Sequence, residues 1–88
     1  MVKNVILNSE ELLVREQAHP YLAKMLEFPD YYGNNLDALF DCLTELGECH
    51  IVLKGAAVLF QSDCYGTKVL KVFEDAARTN PGLRVEIQ

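Results

Sequence analysis

The chain is 88 residues long, half of them hydrophobic, with three cysteines and a formal net charge of −5. So short a chain builds one small core with little depth for a large cofactor cleft, and its negative balance argues against gripping a phosphate backbone. The odd, irregularly spaced cysteines exclude a complete internal disulfide framework and resemble no zinc or redox motif.

Cys42, Cys49 and Cys64 are accordingly read as reduced thiols, with Cys42 as core filler. The opening MVKNVILN lacks the apolar run of a signal peptide, and nowhere do ~20 apolar residues run together, so the chain is expected to be cytosolic. No repeat, linker or low-complexity tract divides it, which makes residues 1–88 a single expected domain. Function should then sit on an exposed surface, and a binding module is favoured over an enzyme.

Val2 to Leu7 is short, branched and apolar and predicts a first strand. From Ser9 to Arg15 the pattern is ambiguous. A helix is expected from near Glu16, with Pro20 in or near its first turn and Leu22, Met25 and Leu26 facing inward. It should end around Glu27, because the residue before Pro29 is disfavoured in helical geometry. Gly33, Asn34 and Asn35 supply turn chemistry and a helix N-cap. Leu36, Leu39, Phe40 and Leu43 then recur at helical spacing, predicting a helix from about Asn35 to Leu46 that Gly47 stops.

His50 to Leu53 reads as a buried strand. Gly55 to Tyr65 is open, although Ala56, Ala57, Leu59 and Phe60 suit a short helix. Thr67 to Arg78 predicts a further helix with Val69, Val72, Phe73 and Ala76 inward, closed by the turn Asn80-Pro81-Gly82. Leu83, Val85 and Ile87 alternate with Arg84, Glu86 and Gln88, as in a half-exposed strand. Three strands separated by helical segments predict a small α/β domain whose crossovers favour parallel pairing.

Charge is distributed unevenly. Met25 to Leu53 holds six acids (Glu27, Asp30, Asp37, Asp41, Glu45, Glu48) and no Lys or Arg, a net −6, while the other seven acids and eight bases come to +1. Such a segment either keeps the chain soluble or attracts a basic partner. On the predicted second helix Asp37, Asp41 and Thr44 line the side next to the apolar stripe. Asp37 suits the first turn, where a carboxylate complements the helix dipole. Asp41, four residues on, adds like-charge repulsion of about 0.2–0.5 kcal/mol that stability alone does not favour. Tyr31 and Tyr32 precede this helix, and of such a pair one ring can pack while the other reaches a partner. Gly33 lets a partner approach the backbone closely.

The segment "FPDYYGNNLDALFDCLTEL" resembles the barstar family, small bacterial intracellular inhibitors of barnase-type, guanyl-specific secreted ribonucleases. "VLKVFEDA" adds a weaker match, and length and element order agree over nearly the whole chain. The resemblance implies three parallel strands packed with three to four helices, and inhibition by substrate mimicry, in which carboxylates plug a basic RNA-cleaving cleft. By resemblance Asp41 enters the phosphate site and accepts charged hydrogen bonds from arginines. Asp37 meets a neighbouring basic group, and Tyr31 lies against the catalytic histidine. Gly33 and Asn35 make close main-chain and side-chain contacts, and Phe40 and Thr44 complete the helix face. Asp75 stands where relatives carry Glu. Phe40 replaces the Trp of the best-known members, losing an indole donor, and Asp75 is one methylene shorter than Glu. Both departures leave the identity of the target open. No cofactor, metal or nucleic acid is implied, and the free chain is expected to be monomeric.

Two other classes compete. An enzyme needs a nucleophile with its base, yet His19 and His50 sit in different elements, and Cys49 and His50 on one strand point to opposite faces. Both histidines are read as structural. Asp37, Asp41 and Glu45 could share Mg²⁺ or Ca²⁺, but the ligands are few and lie on one rigid helix. A third reading keeps the barstar-like acidic module and changes its basic partner.

Overall fold

A computed structural model describes residues 3–60 and 64–88. The expected strand start at Val2 and part of the open stretch from Gly55 to Tyr65 lie outside the described residues.

The first strand, β1, runs Lys3–Asn8 and passes into a 3-10 helix at Ser9–Leu12, where the Asn8 side chain accepts from the Glu10 amide at 3.1 Å. Such a local bond is what Asn offers a chain leaving a strand, and it resolves the ambiguous stretch. Helix α1 follows at Arg15–Met25. Pro20 is its sixth residue rather than part of the first turn; the ring is exposed, so solvent reaches the carbonyl that its missing N–H leaves unbonded. Leu22 and Leu26 are buried as expected, while Met25 is only half-buried. The helix ends two residues earlier than expected, because Glu27 takes a left-handed φ of 57° and the Phe28 amide turns back to the Ala23 carbonyl at 2.9 Å. That is the Schellman closure, with glutamate where glycine is usual.

Helix α2 spans Leu36–Glu45 with Asn35 as its N-cap. Leu39 and Leu43 are fully buried, and Leu36 and Phe40 half-buried against the same core. Gly47 does not stop this helix in a left-handed conformation. The cap is Leu46 in extended geometry, and its carbonyl accepts from the Asn80 side chain at 2.7 Å. Strand β2 runs Cys49–Lys54, and Gly55 leaves it at a φ of 69°. The short helix expected from Ala56 is a 3-10 helix at Ala56–Phe60. Helix α3 occupies Tyr65–Thr79, beginning before the expected Thr67 and taking in Gly66. Gly66 is buried there: a Cβ would stand 2.4 Å from Leu59 Cδ2 and 3.0 Å from the Leu12 carbonyl oxygen, so only glycine lets α3 approach both 3-10 helices. Strand β3, Leu83–Ile87, closes the chain.

The strands form one parallel sheet in the order β1-β2-β3, with Val5 opposite Ile51 and Ile51 opposite Val85. Together with three α-helices they give the small α/β domain that the pattern predicts. β2 is not buried on both faces as expected. It alternates, with Cys49, Ile51 and Leu53 inward and His50, Val52 and Lys54 outward. Parallel strands usually read as continuous apolar runs because helices cover both faces. Here Val5, Leu7, Ile51, Leu53 and Leu83 meet the core formed with Leu39, Leu43, Val69 and Phe73, while the other face carries polar side chains with Ile6 and Val52 among them. No helix among the described residues is long and apolar enough to cross a membrane.

Candidate functional site

Two left-handed non-glycine residues, Glu27 (φ 57°) and Asn34 (φ 54°), bracket the loop that leads into α2. Within it the Tyr32 amide donates to the Pro29 carbonyl at 2.9 Å, forming a turn that sends neighbouring rings opposite ways. Tyr31 is 87% exposed, whereas Tyr32 is buried, its ring 4.8 Å from that of Phe28. One packs and the other reaches out.

Asn35 fixes the end of the loop. Its Oδ1 accepts from the Ala38 amide at 2.7 Å, the N-cap bond, and its Nδ2 donates back to the Gly33 carbonyl at 3.2 Å. A Cβ on Gly33 would lie 3.2 Å from that Nδ2 and 3.4 Å from the Ala38 methyl, so a side chain there would press on the cap. One residue therefore sets both the loop's exit and the helix's start.

Between loop and helix runs a groove of about 430 Å³. Phe28, Pro29, Tyr32, Ala38, Cys42 and Leu46 give it apolar walls, and Tyr31, Gly33, Glu27, Asp41 and Glu45 also line it. All six acids of the segment from Met25 to Leu53 are exposed. Glu27 pairs with Lys3, which holds its carboxyl below the usual range. Asp37, Asp41 and Glu45 take part in no hydrogen bond or ion pair through their carboxylates among the described residues. Thr44, half-buried, donates its hydroxyl to the Asp41 carbonyl at 2.9 Å, which leaves its oxygen lone pairs free to accept.

The sequence-derived set is thus brought together in part. Tyr31, Gly33 and Asp41 line the groove; Asn35 and Asp37 border a second depression with Arg15 and Tyr65. Phe40 is half-buried against the core, offering only part of its ring. Asp75 lies apart on α3, outside both depressions, and pairs with Arg78 one turn on. Cys42 packs against the core as expected but is only half-buried and also walls the groove, with burial and the nearby Glu45 and Asp41 raising its thiol. Cys49 is the buried thiol, and all three are free.

Sequence reasoning missed the groove and the histidine behind it. His19 is buried, Nδ1 lying 2.7 Å from Tyr32 Oη and Nε2 2.6 Å from Tyr65 Oη. Burial, with Arg15 nearby, lowers its pKa. Its partners come from 13 and 46 residues away, so no local spacing announces them. His50 faces Glu86 at 3.3 Å across the outer side of the sheet. Among the described residues no three His, Cys, Asp or Glu side chains group as a metal would need.

Comparison with known proteins follows the same residues. The family model described as barstar, the barnase inhibitor, matches residues 2–88. A Bacillus subtilis protein named "Putative ribonuclease inhibitor YrdF" is 35% identical over 78 residues, which cover 85% of this chain and 86% of that one. With a match that spans all but the first residue, and with three parallel strands under the helices that carry the motif, the chain belongs to the barstar family.

Proposed function

We propose that this protein is an intracellular inhibitor of a basic, secreted, barnase-type ribonuclease, and that it works by plugging the RNA-binding cleft with the loop from Phe28 to Gly33 and the outer face of α2. The observation that carries the reading is Asp41: an exposed carboxylate lining a groove with Tyr31, with no partner for that carboxylate among the described residues. A ribonuclease must hold a polyanion, so its cleft presents arginine, lysine and histidine, and a fixed carboxylate can stand in for a phosphate. Asp37 lies one turn before Asp41 and meets a second basic group. Gly33 and Asn35 give the main chain close access, Thr44 offers lone pairs to a cation, and Phe40 contributes the exposed edge of its ring. Asp75, turned toward Arg78, is the weakest member. The net −6 segment steers the approach, so association is fast and slows as salt rises. Occlusion is itself the inhibition: no bond is made or broken, no cofactor is needed, and the free inhibitor acts as a monomer. The host gains protection from its own enzyme before export.

The test is RNA cleavage by a barnase-type ribonuclease, titrated at low and at physiological salt. Stoichiometric inhibition is expected. Asp41→Ala should weaken it by about 3–5 kcal/mol, because buried arginines lose their counter-charge. Glu48→Ala should cost no more than about 1 kcal/mol, as a rim charge does. Equal losses would reduce the mechanism to diffuse attraction. Absence of inhibition at either salt would move the same surface to another basic protein, a reading that Phe40 and the Asp75–Arg78 pair favour.

A further inference from the structure

One buried titratable group has no part in the plug itself. The His19 ring joins three pieces of the fold: α1, which carries it, the loop before α2 through Tyr32, and the first turn of α3 through Tyr65. The rings also pack, His19 against Tyr32 at 5.7 Å and against Tyr65 at 5.4 Å between centroids. Tyr32 stands between Tyr31 and Gly33 in the chain, so whatever fixes its hydroxyl fixes the residues on either side.

A neutral imidazole has one N–H and one lone pair. Between two hydroxyls it must donate to one tyrosine and accept from the other. Protonation makes both nitrogens donors, and the hydroxyl that had pointed into the ring must then turn its proton away, inside the core at Tyr32 or in the half-buried setting of Tyr65. The groups that face the ring offer a cation little help. Arg15 on α1 opposes it, Tyr32 and Tyr65 are neutral, and Cys42 of α2, beside Tyr32, is a thiol held neutral by burial. Glu16 lines a surface depression together with His19, but it is exposed and shares that depression with Arg15.

We infer that His19 is a positioning residue for the inhibitory loop: while neutral it pins Tyr32 to Tyr65 and presents Tyr31 and Gly33, and on protonation it releases them, so the grip on the ribonuclease weakens in acid. The inference rests on the ribonuclease-inhibitor reading above. By linkage, a partner that binds the pinned loop favours neutral His19, so acid opposes binding and binding opposes protonation.

The experiment compares wild type with His19→Gln, a non-titrating side chain that still offers one donor and one acceptor, and with Tyr32→Phe, which keeps the ring and deletes the hydroxyl. Dissociation rates of the complex with a barnase-type ribonuclease are measured between about pH 7.5 and about pH 5. Taking the ratio of wild type to His19→Gln at each pH cancels the enzyme's own titration. The ratio should rise about 5-fold or more in acid, the lower end of ordinary coupling between sites. Tyr32→Phe should dissociate faster than wild type at the higher pH. In the free protein the Gly33 amide NMR signal should follow a titration that His19→Gln abolishes. A flat ratio, or a Gly33 signal blind to that titration, overturns the inference. The NMR measurement needs no ribonuclease: a Gly33 signal that follows His19 in a protein that inhibits nothing upholds the pinning and sinks the inhibitor reading instead.

Discussion

Asn80 closes helix α2 from across the molecule, its Nδ2 2.7 Å from the Leu46 carbonyl oxygen and 3.1 Å from that of Leu43. The same side chain accepts from the Gly82 amide at 3.0 Å, so the turn before β3 and the end of α2 share one amide group. Asn80→Ala strands the Leu46 carbonyl and the Gly82 N–H in a half-buried position, leaving the Leu43 carbonyl only the Leu46 amide, and should cost about 1–3 kcal/mol. Asn80→Asp should cost at least as much, since a carboxylate would face two acceptors. Urea unfolding checks both, with the midpoint falling at an unchanged slope.

Two glycines should respond in opposite ways to alanine. At Gly66 the added methyl meets Leu59 Cδ2 at 2.4 Å and main chain at 3.0 Å, and a loss of about 1–3 kcal/mol is expected from overpacking. At Gly47 nothing lies within 4 Å and φ is not left-handed, so alanine should gain about 0.4–1 kcal/mol by narrowing the unfolded ensemble. Thermal melts of the two variants should move to opposite sides of the parent.

The neighbouring tyrosines separate binding from folding. Tyr31→Ala removes an exposed ring and should leave stability within about 0.5 kcal/mol of the parent while weakening inhibition. Tyr32→Ala empties a buried site against Phe28 and His19, for a loss of about 3–5 kcal/mol in stability. Melting temperature and inhibition titration, measured on both, should show Tyr31→Ala losing inhibition alone and Tyr32→Ala losing stability together with inhibition, because the loop loses its anchor to His19.

Stability should fall in acid through His19. Its folded pKa lies below the ordinary value of 6.5, so the unfolded chain takes up the proton first as pH drops. Below 6.5 the unfolded state binds more protons, and the contribution, fully present above that pH, is lost progressively toward the folded value. The difference in urea midpoint between wild type and His19→Gln should shrink or reverse from about pH 7.5 to about pH 5.5. A constant difference would remove His19 from the pH response.

Where physics is local, the elements were legible. The Asn35 cap and the Leu36, Leu39, Phe40, Leu43 spacing located α2 within a residue, and alternation marked β3. The misses are tertiary. Gly66 looks like a helix breaker until Leu59 and Leu12 are seen against it, and Gly47 looks like a stop until Asn80 is seen doing that work. β2 reads as a buried run because Val52 is apolar, although its face of the sheet is uncovered. At the candidate site the exposure of Asp37 and Asp41 followed from helical geometry, while the residues alone left open which tyrosine of the pair reaches out and only the family resemblance pointed to Tyr31. The groove depends on how the loop folds back against α2, and the Tyr32–His19–Tyr65 bridge on residues far apart in sequence.

Helix α2 holds Leu39 and Leu43 in the core and Asp37 and Asp41 in solvent on opposite sides of ten residues. Because the sheet is covered on one side only, that single layer of helices both seals the interior and meets the outside. Inheritance can act on the two sides separately. An outward substitution on α2 meets little resistance from the fold, on the order of 0.5 kcal/mol or less. A lineage can therefore change what this surface meets by rewriting the three exposed letters of α2, Asp37, Asp41 and Glu45, while the buried ones stay as they are.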